Sequence, residues 1–537
     1  MTQPHNNNVL IRGGLVVDGT GAPARRADVL VRDGRIAAVK PEMTVDGHAR
    51  TIDADGLHVA PGFIDTHSHS DLRVLVEPDL PMKVMQGITL DVLGQDGISV
   101  APVREDDVGA VRKQLAGLLG DPDLPRDWRS VADYLSLLDR GAGLNLAYLV
   151  PHGAVRAGAM GLGARKPDAA ELAQMVAILE RAMDEGALGL STGLIYPPCC
   201  YADTDELVAL CTAVAKKNGV FVVHMRSESD HILAALDEMI DVGRRSGVHV
   251  HISHFKIAGR DNWAHVEQML AKVRAAQAAG VRMTADQYPY VAGSTMFGAI
   301  LPPWAHDGGS EETLKRLASP DERARMRAAM EKPGPNDWDS FWQWTGPSGI
   351  VIADVPSGRR PEVMGKTVAE AAETAGKEPI ELAFDLLSSE RMGVSMISFS
   401  QSEEVVARVM REPYVNVCTD GLLGGRPHPR AYGTYPRILG RYVREQKVLT
   451  LEEAVRKMTS QAADAMHLPD RGRIAPGQAG DLVCFDASKV IDRATFADPL
   501  QGPSGIVHVV VAGVAVVADS RPTRARPGRA VRATTGG

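Results

Sequence analysis

Residues Ala60-Pro-Gly-Phe-Ile-Asp-Thr-His67-Ser-His69-Ser-Asp71 decide how the rest of the chain is read. An apolar run follows Pro61-Gly62 and ends in two histidines spaced i and i+2. Alternate residues of a strand point the same way, so His67 and His69 can reach one cation together. Two imidazoles at this spacing suit Zn²⁺ or a similar divalent ion. Two further runs, Val220-Phe-Val-Val-His224 and His251-Ile-Ser-His254, also close on histidine. His249 and His251 lie earlier in their run and are not expected to be ligands. Asp420, in Val417-Cys-Thr-Asp420-Gly421, closes a last strand-like run and could both ligate a metal and shuttle protons.

Working outward, apolar strand candidates alternate with helical segments. The strands are Val59–Thr66, Thr89–Leu93, Leu144–Val150, Leu188–Ser191, Val220–His224, His249–His254, Arg282–Tyr288 and Val415–Thr419. Helices such as Asp168–Glu185, Asp203–Asn218 and His265–Ala279 fall between them. This alternation predicts an α/β fold, a (β/α)₈ TIM-like barrel, in which histidines at strand ends converge on the axis. Residues 59–469 are assigned to the barrel, with a lid insertion expected at about 302–393 after the seventh strand.

Both ends have a different texture. Val9–Arg12 and Leu15–Asp18 flank a Gly13-Gly14 turn, and Ala27–Arg32 and Ile36–Val39 flank the hairpin signal Asp33-Gly34. Gly480–Asp486 and Val507–Val517 are similar. Residues 1–58 and 470–537 are therefore expected to share one small β-sandwich domain. The basic, Pro/Gly/Thr-rich tail Ser520–Gly537 reads as a partly disordered surface segment.

The chain has 537 residues, 44% of them hydrophobic, and a formal net charge of -8. That balance gives no general attraction to nucleic acid or to a membrane; a small-molecule substrate is implied instead by the resemblance that the longer stretches carry. No run of 18 apolar residues occurs, and MTQPHNNNVLIRGG does not read as a signal peptide. The five cysteines are too few and too odd for a disulfide framework, which suggests a cytoplasmic protein.

Longer stretches carry a resemblance. They are the His67/His69 segment, Gly186-Ala-Leu-Gly-Leu-Ser-Thr-Gly-Leu-Ile-Tyr196-Pro-Pro198, His224-Met-Arg226-Ser-Glu228, Ile252-Ser-His254-Phe-Lys256, Asp286-Gln-Tyr288-Pro-Tyr290-Val-Ala-Gly-Ser294-Thr295 and Pro427-His428-Pro-Arg430. From about residue 8 to about 530 the chain resembles the amidohydrolase superfamily, and within it the N-acyl-D-amino-acid deacylases, or D-aminoacylases. The resemblance implies metal-dependent hydrolysis of a linear amide with one or two divalent ions, Zn²⁺ foremost. It puts His224 and His254 at a tight metal site, His67 and His69 at a weaker one, and Asp420 in the catalytic position. Lys256, Tyr288, Ser294 and Arg430 fall where such enzymes meet the substrate, the first three gripping its carboxylate.

One position departs from that pattern. The resemblance calls for a metal-ligating Cys in an Asn-Cys-Gly segment, where this chain reads Gly94-Gln95-Asp96-Gly97. Asp96 then takes the ligand position, and a carboxylate can bridge two cations. The change keeps open an amidohydrolase acting on another amide, a carbamate or a cyclic amide. No lysine stands at the end of the fourth strand, which argues against a hydantoinase or dihydroorotase type. A non-enzymatic scaffold would have lost the metal residues, all of which are present here. The uncharged run Thr295–Trp304 favours neutral apolar amino-acid side chains if it lines the pocket.

Overall fold

The computed structural model describes residues 8–44, 49–125, 127–332 and 338–533. Residues 1–7 of the segment read above for a targeting signal, and the last four of the tail, lie outside these.

Eight parallel strands form the barrel: β1 (Phe63–Asp65), β2 (Ile88–Leu93), β3 (Asn145–Tyr148, continuing as Val150–Pro151), β4 (Gly189–Gly193), β5 (Val220–His224), β6 (His249–Ile252), β7 (Met283–Gln287) and β8 (Val415–Val417). Each pairs with the next in parallel register from β1 through β8. Nearly every strand residue is buried, which is why these runs read as continuously apolar rather than alternating. Helices Ala169–Asp184, Thr204–Lys216, Ile232–Ser246 and Val266–Ala278 connect the middle strands. Asp168 caps the first of these by accepting from Ala170 N and Glu171 N, and Asp203 caps the second by accepting from Glu206 N.

The candidate strand Val59–Thr66 is two strands. Pro61-Gly62 breaks it, and His58–Pro61 pairs antiparallel with Leu482–Phe485 in a nine-stranded sheet built from both ends of the chain. In that sheet Arg25–Arg32 and Arg35–Lys40 form the expected hairpin, with Asp33 and Gly34 both at positive φ. The Gly13-Gly14 turn is not formed. Val9–Val16 is one strand with a bulge there; Gly13 takes φ +74° and donates its N–H to Asp28 Oδ1 at 2.7 Å.

Between β7 and β8, Gly293–Met296, Ile350–Asp354 and Ser395–Ser398 make a three-stranded antiparallel sheet. Helices such as Ser310–Ala318 and Pro379–Ser389 pack on it around Phe297, Ile352 and Leu382. The tail corrects another expectation. Gly528 and Ala142 exchange both backbone hydrogen bonds, Val531 N donates to Leu146 O at 2.7 Å, and Ala533 N to Gly186 O at 3.1 Å. Val531 and Ala533 pack against a cluster containing Ile64, Leu90, Val220 and Val222. The segment is thus laid across the N-terminal ends of the strands.

Candidate metal centre and active site

The chain turns sharply at three of the candidate site residues. Asp96, His254 and Asp420 all have positive φ, at 56°, 36° and 48°. Such backbone is costly for residues other than glycine and concentrates at functional sites. The turn holding Asp96 is fastened by Asp71, whose Oδ1 accepts from Gly94 N at 2.9 Å and Ser99 Oγ at 2.5 Å.

His67 Nε2 lies 3.6 Å from Asp96 Oδ1 and 3.7 Å from Asp420 Oδ1; His69 Nε2 lies 3.6 Å from Asp96 Oδ2 and 3.3 Å from Asp420 Oδ1. His254 Nε2 is 3.7 Å from Asp96 Oδ1, and His224 Nδ1 is 3.0 Å from His254 Nε2. Three overlapping sets can hold an ion: His67, His69 and Asp96; His67, His254 and Asp420; and Asp96, His224 and His254. Asp96 belongs to two of them, as a bridging carboxylate would. All of these residues are buried, and both ring nitrogens of His67, Nδ1 of His69, Nε2 of His224 and Oδ1 of Asp96 have no hydrogen-bond partner. Unpaired buried polar atoms are expensive, so a donor set of this kind fits divalent cations. Burial lowers the His224 imidazole to about 4, which leaves a neutral ring as a ligand. Burial would lower His69 too, but Asp420 and Asp96 raise it to about 9: the site stabilises positive charge.

A second group of side chains faces this cluster. Arg430 Nη1 pairs with Asp420 Oδ2 at 2.8 Å, and its guanidinium stacks 4.5 Å from the centre of the Tyr288 ring. Lys256 Nζ lies 5.7 Å from the same ring centre. Ser294 lines this pocket, but its hydroxyl donates to Met396 O at 2.8 Å, so gripping a carboxylate would require that bond to break. Sequence reasoning did not single out Glu228. Its Oε1 meets Lys256 Nζ at 2.6 Å and His254 Nδ1 at 2.9 Å, and its Oε2 lies 3.6 Å from His224 Nε2. The i,i+4 spacing from His224, just past a strand end, was the available signal.

Behind the ligands runs a column of polar groups. His467 meets His249, His249 meets Thr284, Thr284 meets His251, and His251 meets Asp286, at 2.8–3.0 Å each. Asp286 accepts from Thr66 Oγ1 at 2.7 Å and from the His254 backbone N–H at 2.5 Å. His249 and His251 stand in this column, outside the ion-holding sets.

A larger cavity of about 260 Å³ opens next to the pocket, and Tyr196 and Phe341 line both. Ile98, Leu194, Met296 and Leu301 contribute to its walls. Arg226, also in the wall, is held by Glu238 through bonds of 3.0 Å from Nε and Nη2, and by the carbonyls of Cys200 and Ala202.

A parallel barrel with imidazoles and carboxylates gathered at its C-terminal strand ends defines the class of metal-centred barrels. The model of the amidohydrolase family matches residues 50–329 and 362–517. An N-acyl-D-glutamate deacylase from Alcaligenes xylosoxydans xylosoxydans is 38% identical over 98% of this chain and 96% of its own. The crystal structure of N-acyl-D-glutamate deacylase from Bordetella bronchiseptica, complexed with zinc and a phosphonate inhibitor, superposes with a TM-score of 0.82 at 35% identity, covering 98% of this chain and 99% of that one. A D-aminoacylase with a binuclear metal centre gives a TM-score of 0.81 at 34% identity, covering 99% and 100%. The chain belongs to the amidohydrolase family.

Proposed function

We propose that the protein is a metal-dependent deacylase that hydrolyses the amide bond of N-acyl-D-amino acids, giving a carboxylate and a free D-amino acid. One juxtaposition carries the reading. Asp420 presents Oδ1 to His67 and His69, while Oδ2 is paired with Arg430, which shares the Tyr288 ring with Lys256. The metal cluster and a cationic grip for a carboxylate thus face one small pocket. The names of the full-length relatives support the same chemistry.

His67, His69, Asp96, His224 and His254 would hold one or two divalent ions, zinc foremost. Such an ion, when bound, would supply Lewis acidity to a water and to the amide carbonyl. Asp420, kept ionised beside Arg430, takes the water's proton and delivers it to the leaving nitrogen. Lys256, Tyr288 and Arg430 orient the substrate's carboxylate so that the amide lies over the ligand cluster. Ser294 completes this grip once its hydroxyl leaves Met396 O.

The adjoining cavity supports a neutral apolar side chain on the amino acid. Its described walls are mainly apolar. On this reading residues 59–469 are the catalytic body, the insertion at about 302–393 supplies a lid through Phe341 and Trp344, and residues 1–58 with 470–537 are an accessory β domain. Five free cysteines support work in the reducing cytoplasm.

The test is a panel of N-acetyl D- and L-amino acids with zinc-loaded protein. N-acetyl-D-Met and N-acetyl-D-Leu should be cleaved, ahead of their L forms and of N-acetyl-D-Glu and N-acetyl-D-Asp. No turnover of any D substrate overturns the activity; faster cleavage of the acidic substrates overturns the side-chain preference.

A further inference from the structure

The barrel closes between β8 and β1, and there, among the described residues, no continuous strand ladder joins the two; a single parallel bridge pairs Ser68 with Gly421, with His69 N reaching Gly421 O at 3.4 Å. The seam is held by other bonds. Asp420 N donates to His67 O at 2.8 Å. Asp65 accepts from Thr419 N at 2.8 Å and from Thr419 Oγ1 at 2.5 Å. Tyr435 OH bridges Ile64 O at 2.6 Å and Val417 O at 3.1 Å. This is the seam on which His67 and His69 stand to one side and Asp420 to the other.

At its centre is a lysine with no access to solvent. Lys83, on the short helix Pro81–Val84, has 0% exposure. Its ammonium meets Asp65 Oδ2 at 2.6 Å, Ser68 Oγ at 2.9 Å and Thr419 Oγ1 at 2.9 Å, with Asp91 Oδ1 at 3.4 Å. An ammonium has three protons to give, and here each has a partner beside a site residue. Ser68 separates His67 from His69, Asp65 is two residues before His67, and Thr419 precedes Asp420. Burying a charge this deeply is costly, and a well-packed apolar residue would often do as well for stability alone. Lys83 lines neither cavity described above.

We propose that Lys83 is a positioning residue: its buried ammonium fixes Asp420 relative to His67 and His69 across this seam, where a single bridge replaces a strand ladder. The inference uses the deacylase reading for its kinetic readout, and one further readout that does not depend on it. Loss of the ammonium lets Asp420 drift against the ligand pair. A misplacement of about 1 Å costs on the order of 100-fold in rate.

Three variants of the metal-loaded protein test this. Lys83→Met should lower kcat by about 30-fold or more with KM within about 3-fold and metal content unchanged. Thr419→Val, which removes one hydroxyl from the hub, should lower kcat by about 5-fold or more; Thr419→Ser, which keeps it, should stay within about 2-fold of the parent. The cobalt-substituted Lys83→Met protein should show shifted d–d bands, because Ser68 no longer steadies the two histidines. A folded Lys83→Met protein with parental kcat, or one in which KM alone rises, overturns the proposal. If Lys83→Met does not fold, the Thr419 pair decides: equal kcat for the Val and Ser variants overturns it. If the parent cleaves no D substrate, the deacylase reading has failed, and the cobalt spectra alone decide, an unshifted spectrum overturning the positioning role.

Discussion

At the N-terminal ends of the strands, the backbone groups of Ala142, Leu146 and Gly186 find partners in residues 528–533, and Asp139 holds the Ala530 N–H at 3.0 Å and Arg532 Nη2 at 2.5 Å. At the C-terminal ends, five ring and carboxylate atoms of the ligand cluster are buried without a partner, and three residues sit in left-handed backbone. The same eight strands serve both. One end is finished and stable; the other keeps unspent bonding capacity at a local cost, the division expected of such barrels. What differs is which groups remain free to bind something else.

That division can be broken experimentally. The largest effect is expected from Asp420→Asn, which should lower kcat by about 1000-fold or more while the bound metal, read by atomic absorption, stays at the parental level. Residual turnover near that of the parent would remove Asp420 from proton transfer. Lys256→Met should act on binding: losing a charge-assisted contact of about 1.5–3 kcal/mol raises KM by roughly 10- to 100-fold with a smaller change in kcat. Stripping the metal with a chelator should abolish activity and lower Tm in calorimetry, with zinc restoring both, because an ion that binds only the folded state stabilises it. At the opposite end, truncation after Pro522 should lower Tm by about 2–5 °C and leave kcat/KM within about 2-fold. A truncated protein with unchanged Tm but impaired kcat would mean that the two ends do not divide the work as described.

Much of the candidate site was legible because barrel strands present polar side chains at their ends. His67, His69, His224, His254 and Asp420 stand out as polar residues closing apolar runs, and the structure gathers all five around Asp96. Glu228 was hidden because it lies in a turn, where no period marks a facing direction. Lys83 was hidden for a related reason: its four partners are scattered from residue 65 to 419, and a lysine in a short helix reads as solvated. Gly13-Gly14 resembles a turn, but the Asp28 carboxylate that accepts the Gly13 N–H makes it a bulge, and no local pattern encodes that partner. The tail misled by composition. Its Gly528 is required where a Cβ would come within 2.0 Å of Leu144 O, a constraint set by packing against the barrel rather than by the tail itself.

The imidazole column from His467 to Asp286 links the two ends and has a consequence for how such a sequence can change. Barrel interiors are usually filled by interlocking aliphatic layers that tolerate piecemeal swaps of similar volume. Here each member is hydrogen-bonded to the next, with the Asp286 carboxylate accepting at the end, so altering one strands its neighbour in a dry interior at about 1–3 kcal/mol. Thr284→Val should therefore destabilise more than its lost methyl-sized polarity suggests, and a paired change at His251 should recover part of the loss, as a double-mutant cycle would reveal. Substitution along this axis is therefore tolerated only when neighbouring members change together, unlike the piecemeal exchange an aliphatic layer accepts.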